Sequence, residues 1–306
     1  MTAIIFPGQG SQYIGMAKEF FDNFEQSKLA FEEIETYTGL NLRKIIFEDP
    51  DNLLNLTNYT QISIFTASIA IYKSIESNFF NISNSPKIMF GHSLGEYTAL
   101  ASSKILNLKD CSTILRHRSN LMHTTVNPNE TGMAALIGLN SELINKIILE
   151  HKIKIEIAND NSPIQVVISG LIDEITKSIP IFEKTGVKKI IKLNVSAAFH
   201  SKFMFSAQEK LNKIIDDVNF NDSKIKIISN YNAELNIDKH LVKNALKKQM
   251  SNKVRWTESV KKLESSGEKK ILEIGPGKVL SGLIKRISNI FDIISIDKLT
   301  DLDNLK

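Results

Sequence analysis

Residues 86–100 read Pro-Lys-Ile-Met-Phe-Gly-His-Ser-Leu-Gly-Glu-Tyr-Thr-Ala-Leu. The apolar run 86–90 has the length and bounds of a short buried strand, and a helical pattern covers 96–104. Between them stands Gly91-His92-Ser93-Leu94-Gly95, a G-x-S-x-G motif in the strand-to-helix setting that gives it chemical meaning. A serine on so sharp a turn projects its hydroxyl above the sheet, and glycines leave room for the close approach. The backbone N–H of Leu94, at the helix N-terminus, would face a developing oxyanion. An ordinary glycine-rich turn is the competing reading, and the flanking strand and helix weigh against it.

Working outward, residues 2–6, 224–229 and 270–274 are also strand-like, the first ended by Pro7-Gly8-Gln9-Gly10 and the last by Gly275-Pro276-Gly277. Helical patterns run through 31–35, 60–77 and 109–123. Short apolar strands alternating with helices predict a parallel sheet covered on both faces. The middle differs. Strand-like 133–137, helical 141–151, strand-like 153–158 and 164–169, helical 171–185 and strand-like 188–195 give the order βαββαβ of a ferredoxin-like unit.

The 306 residues are 42% apolar and 24% charged, which excludes a disordered or fibrous chain. The single cysteine, Cys111, excludes an internal disulfide framework and a thiolate metal cluster, and fits a reducing compartment. The most apolar window, 62–72, is interrupted by Ser63, Thr66 and Ser68 and is too short to span a membrane. The first residues carry no basic stretch ahead of an apolar one and read as a strand, not a secretory signal. Net charge is +4, unevenly spread: residues 238–262 hold eight basic and two acidic side chains. That segment reads first as a solvated helical surface and second as a docking patch for an acidic partner. Nucleic acid is disfavoured, since Trp256 is its only aromatic residue.

A nucleophilic serine needs a base. Six histidines are available. His92 adjoins Ser93, and neighbours on such a turn point apart; His117, His123 and His151 fall on predicted helices; His240 completes the set. His200 lies where a strand has ended and a helix is about to begin, and a helix N-terminus favours the neutral imidazole a base requires. Pattern alone puts it only slightly ahead. Arg118 stands out differently. The apolar stripe of its helix runs through Ile114, Leu115, Leu121 and Met122, and position 118 lies on that stripe. An inward-facing guanidinium is paired, either with a structural carboxylate or with one on a substrate. Arg116 lies off the stripe and is expected in solvent.

Several stretches together resemble the malonyl-CoA:acyl carrier protein transacylases, the acyltransferases of fatty acid and polyketide synthesis. They are Phe6-Pro-Gly-Gln-Gly-Ser-Gln12, Gly91-His-Ser-Leu-Gly-Glu-Tyr97, Met133-Ala-Ala-Leu-Ile-Gly-Leu139, Ser162-Pro-Ile-Gln-Val-Val-Ile-Ser-Gly170, Ala198-Phe-His-Ser201, Val254-Arg-Trp-Thr257 and Glu273-Ile-Gly-Pro-Gly-Lys-Val-Leu280. They follow the family order along nearly the whole chain. The βαββαβ order places a ferredoxin-like small domain at 126–197, inserted in a parallel-sheet α/β-hydrolase-like main domain of residues 1–125 and 198–306. The resemblance implies Ser93 as the acylated nucleophile, His200 as its base and Arg118 as the grip on the malonyl carboxylate. The backbone N–H groups of Gln9 and Leu94 would form the oxyanion hole, and Gln249 would orient the histidine in place of a carboxylate. Phe199 would disfavour a methyl branch on the malonyl unit. The substrate would be malonyl-CoA and the partner acyl carrier protein, in fatty acid biosynthesis, with no metal, no resident cofactor, no nucleic acid and no membrane. A cytoplasmic monomer is expected. Ser119 and His123 depart from the glycine and glutamine common beside this arginine. An α/β-type serine hydrolase, with Asp160 or Asp173 as its acid, and a degenerate acyltransferase that only binds carrier proteins are the rival readings.

Overall fold

The computed structural model describes residues 2–79, 85–127 and 129–305. The chain opens with β1 (Thr2–Phe6), α1 (Lys18–Asn23), α2 (Glu25–Thr38), α3 (Leu42–Phe47), α4 (Thr57–Phe79), β2 (Ile88–Gly91), α5 (Leu94–Ser102) and α6 (Leu108–Thr124). It continues through β3 (Thr131–Ile137), α7 (Ser141–Glu150), β4 (Ile155–Ser162), β5 (Gln165–Leu171), α8 (Ile172–Lys184) and β6 (Lys189–Lys192). It closes with α9 (Phe205–Asp216), β7 (Lys226–Ile228), β8 (Leu235–Asn236), α10 (Lys239–Gln249), α11 (Trp256–Ser265), β9 (Lys270–Ile274), α12 (Val279–Ile287) and β10 (Asp292–Ile296).

The larger sheet has the order β10-β9-β1-β2-β7-β8 and is parallel except where β8 returns against β7. Its central strands β1, β2 and β9 are buried along almost their whole length, as strands covered on both faces must be. Phe6 pairs with Gly91, so the loop after β1 and the turn after β2 leave the sheet side by side. Adjacent parallel strands thus bring residues far apart in sequence to one carboxyl-end edge, where open α/β sheets bind ligands. The apolar stretch 62–72 lies in α4, packed inside the core with Ser63, Thr66 and Ser68 buried. Among the described residues no helix is long and apolar enough to cross a membrane.

The smaller sheet is antiparallel, in the order β4-β5-β3-β6. One face joins α7 and α8 in a core of its own, with Leu136, Ile144, Ile168 and Phe182. Met133, Ala135 and Val167, which alternate with those positions, join the main core instead. The two-residue period of the strands therefore ties this sheet to the larger one. Two strands, β8 and β10, lie beyond those expected from sequence. Both sit at sheet edges and are half-buried, which leaves them little apolar pattern.

Candidate active site

The turn after β2 carries Ser93 at φ 53°, ψ −105°, a strained conformation for a residue with a side chain. Two glycines permit it. A Cβ on Gly91 would sit 2.2 Å from the backbone of Gly95, and one on Gly95 would sit 2.2 Å from the Phe6 carbonyl. Asn230, just beyond β7, clamps the turn from the neighbouring strand. Its Oδ1 accepts from the Ser93 N–H at 2.7 Å and its Nδ2 donates to the Gly91 carbonyl at 2.7 Å.

His200, also at positive φ (56°), lies 2.8 Å by Nε2 from Ser93 Oγ. Its Nδ1 is 3.1 Å from the backbone carbonyl of Gln249. A carbonyl only accepts, so Nδ1 carries the hydrogen and Nε2 offers its lone pair to the serine. Burial, and after it the charge of Arg118, push the His200 imidazole down to about 3, so it stays neutral. Those two causes, rather than a helix terminus, hold it in the basic form.

Arg118, on α6, is fully buried. It donates to Gln61 Oε1, to Ser93 Oγ at 3.0 Å and to Gln249 Oε1 at 3.0 Å, and lies over the Tyr97 ring. All these partners are neutral, and among the described residues no carboxylate forms an ion pair with it. Gln249 Nε2 donates to the Ser93 carbonyl and to Glu96, both at 2.8 Å. The side chain of Gln249 thus orients the arginine, and only its main chain orients the histidine.

The acyl transferase domain model matches residues 3–289. The chain belongs to the acyl transferase family. It is 35% identical over 297 residues to a malonyl CoA-acyl carrier protein transacylase of Bacillus subtilis, covering 96% of this chain and 92% of the other. It is 37% identical over 290 residues to the polyketide biosynthesis malonyl CoA-acyl carrier protein transacylase PksC of the same organism, covering 94% and 97%. An acyl carrier protein S-malonyltransferase from Vibrio cholerae superposes with a TM-score of 0.94 at 33% identity, covering 100% of this chain and 99% of that one. A malonyl-transacylase solved in complex with its type II polyketide acyl carrier protein, PlMCAT:AntF, gives 0.94 at 31% identity, covering 99% and 98%. These matches fix the α/β fold and the acyltransferase class.

In this acyl transferase, Gln9, Leu94, Arg118, Phe199 and His200 line one cavity of about 90 Å³ with Ser93. That is room for a short acyl group. Neither the Gln9 nor the Leu94 N–H donates to another group among the described residues. His92 opens onto the same cavity but is bonded to Asn161 Oδ1 at 2.8 Å, away from Ser93. His117, His151 and His240 are exposed. Ser119 donates to main-chain carbonyls at 58 and 116, while His123 lines an adjoining cavity; no hydrogen bond joins either to Arg118. Arg116 is half-buried, donating to the Asn58 carbonyl at 2.9 Å, rather than free in solvent. The hydrolase rival loses its acid: Asp160 accepts from Thr257 at 2.8 Å, Asp173 is exposed in the first turn of α8, and His200 Nδ1 already has its carbonyl. Among the described residues no group of three or more His, Cys, Asp or Glu could hold a metal ion.

In the basic segment, seven of the eight cations have partners nearby. Lys239 pairs with Asp222, Lys247 with Asp216, Lys253 and Arg255 with Glu258, and Lys262 with Glu234. Lys243 donates to two main-chain carbonyls, and Lys248 lies over the Tyr231 ring. Five of the segment's cations share four carboxylates, so its positive charge is partly offset by neighbours. Asn230, Gln61 and Glu96 were not singled out from sequence. All are common polar residues: strand order brings Asn230 to the serine, helix packing brings Gln61, and Glu96 follows the serine in the first turn of α5.

Proposed function

We propose that this protein transfers the malonyl group of malonyl-CoA to the phosphopantetheine thiol of acyl carrier protein, through a malonyl ester on Ser93, in fatty acid biosynthesis. The observation that carries the reading is Arg118: a buried guanidinium with no carboxylate in direct contact among the described residues, bonded to the nucleophile's own oxygen. A charge so placed waits for an anion, and guanidinium suits a carboxylate.

His200 Nε2 takes the Ser93 proton as Oγ attacks the thioester carbonyl. The tetrahedral oxyanion is held by the N–H groups of Gln9 and Leu94, donors worth about 2.7–4 kcal/mol each in such sites. The C–S bond then breaks, and the leaving thiolate takes the proton from His200. The carrier-protein thiol repeats these steps on the ester. Arg118 holds the malonyl carboxylate throughout and disfavours neutral acyl chains. Phe199 narrows the cavity against a methyl branch, an effect worth about 1–3 kcal/mol.

One chain supplies nucleophile, base, arginine and both oxyanion donors, which supports a monomer. The lone cysteine, buried and free, suits the cytoplasm. The segment 126–197 is taken as an inserted small domain in a main domain of 1–125 and 198–306. The acyl group is carried by its thioester, so no resident cofactor is invoked.

The test is peptide mapping after incubation with malonyl-CoA, then addition of carrier protein. A malonyl adduct on the Ser93 peptide that is discharged onto carrier protein is expected. An adduct elsewhere, or free malonate as the main product with carrier protein in excess, would overturn the reading.

A further inference from the structure

Glu96 occupies the first turn of α5, three residues after the nucleophile, and is fully buried. Its Oε2 accepts from the Asn230 N–H at 3.1 Å and from Gln249 Nε2 at 2.8 Å. Those two residues bond to the serine turn, the histidine and the arginine. Asn230 holds both sides of the Ser93 turn; Gln249 holds the Ser93 carbonyl, the His200 ring and the Arg118 guanidinium. The Gln249 amide can face only one way, because arginine is donor-only and must meet Oε1. Glu96 is therefore the carboxylate linked to Arg118 through a single amide. Glu96 Oε1 is buried, and the Ser229 hydroxyl beside the carboxylate favours its ionised form.

We propose, building on the malonyl-transfer reading above, that Glu96 is a positioning residue that balances the charge of Arg118 in the empty site and takes up a proton from solvent when the malonyl carboxylate docks. One buried guanidinium cannot compensate two carboxylates: the second anion raises the proton affinity of the first. The substrate's carboxylate touches the guanidinium directly and stays ionised, so the proton goes to Glu96. Discharge of the malonyl group to carrier protein returns that proton to solvent.

Burial already pushes the Glu96 carboxyl up to about 7 without substrate, against the hydrogen bonds from Gln249 and Asn230, the charge of Arg118 and the Ser229 hydroxyl. The other ionisable groups around it hold one state near neutrality. Burial raises the Tyr97 phenol on α5 and the Cys111 thiol on α6, so both stay protonated. Burial lowers His92 and His200, so both stay neutral. Arg118, lowered by burial, remains a cation. In this cluster Glu96 is the group left to titrate.

The first measurement uses the unaltered enzyme in weak buffer near pH ~8 with an indicator dye, comparing malonyl-CoA with acetyl-CoA. Both donors release the same thiol, so that contribution cancels. Malonyl acylation is expected to take up close to one extra proton per site. The second follows kcat/KM for acylation between about pH 6 and 9. For malonyl-CoA it is expected to fall up to tenfold per pH unit above about 7, while acetyl-CoA shows no such limb. Glu96→Gln, neutral at every pH and able to accept from Gln249 and Asn230, is expected to remove the malonyl limb. Equal proton uptake from the two donors, or the same malonyl limb in Glu96→Gln, would overturn the proposal. Should the variant not fold, the two-donor comparison in the unaltered enzyme decides. Acylation of Ser93 without the malonyl-specific uptake sinks this inference alone, whereas no acylation by either donor sinks the transferase reading with it.

Discussion

The sharpest consequence of the site geometry concerns acylation in acid. His200 is 2.8 Å from the Ser93 oxygen, and burial and the Arg118 charge hold its imidazole down at about 3. An ordinary imidazole titrates near ~6.5, so at pH ~5 only about 3% would remain as free base and acylation would slow roughly 30-fold. With the value held near 3, about 99% stays neutral at the same pH and the loss is on the order of 1%. The assay is single-turnover acylation at saturating malonyl-CoA, quenched and read by intact mass, between about pH 5 and 8. Stability works in the same direction and has to be separated. A base whose folded-state value is depressed contributes fully above its unfolded value, about 6.5, and loses that contribution as pH falls toward 3. Circular dichroism on the same samples gives the folded fraction for normalisation. The expected profile is flat to about pH 5. A limb with a midpoint near 6–6.5 in fully folded protein would refute the reasoning, because His200 would then be as hydrated as a surface histidine. Arg118→Gln removes one of the two causes, so its limb is expected at higher pH than in the unaltered enzyme.

Arg118→Ala is expected to cut malonyl acylation by roughly 10–100-fold, the worth of charge-assisted hydrogen bonds to one carboxylate, while sparing acetyl acylation. Paired measurements with both donors check this; equal losses would make the arginine structural. Asn230→Ala removes the acceptor of the Ser93 N–H and the donor to the Gly91 carbonyl. At about 1–3 kcal/mol for each buried group left unpaired, both the thermal midpoint and kcat are expected to fall, with KM little changed. An unchanged midpoint would mean that the turn holds itself. Gly95→Ala would press a methyl group to 2.2 Å from the Phe6 carbonyl. Folded protein with an unaltered melting temperature would contradict that packing.

What could be read from sequence was what is written in consecutive residues or in a broken period. The Ser93 turn is a five-residue motif between a strand and a helix, and the structure bears out its setting between β2 and α5. Arg118 was visible because a charge interrupted an apolar stripe, and its side chain is indeed buried. The βαββαβ order of the middle segment was legible because its inner strands β3 and β5 alternate, one face to α7 and α8 and the other to the main core. His200 was not legible from pattern alone. It is 107 residues from its serine, and one histidine among six carries no local mark. Asn230 had a weak signal: it ends a strand-like run as Gly91 does, and carboxyl ends of adjacent parallel strands converge. Gln61 had none, since it sits in ordinary helical sequence; Glu96 lies inside the Gly91–Tyr97 stretch, but nothing in the pattern marks what it holds.

The neutral partner on His200 follows from the same geometry. A carboxylate at that Nδ1 would steady an imidazolium, as it does in serine hydrolases. Here the guanidinium of Arg118 lies 3.0 Å from the serine oxygen. A carboxylate against the ring would fall within reach of that cation and pair with it, occupying the site a substrate's carboxylate is to take. The Gln249 carbonyl fixes the tautomer without supplying an anion, while the side chain of the same residue holds the arginine in place. The site's own carboxylate, Glu96, is kept one amide away. Recognition of an acidic acyl group and the absence of a triad acid are in this reading one design: the positive charge stays available because nothing beside the base competes for it.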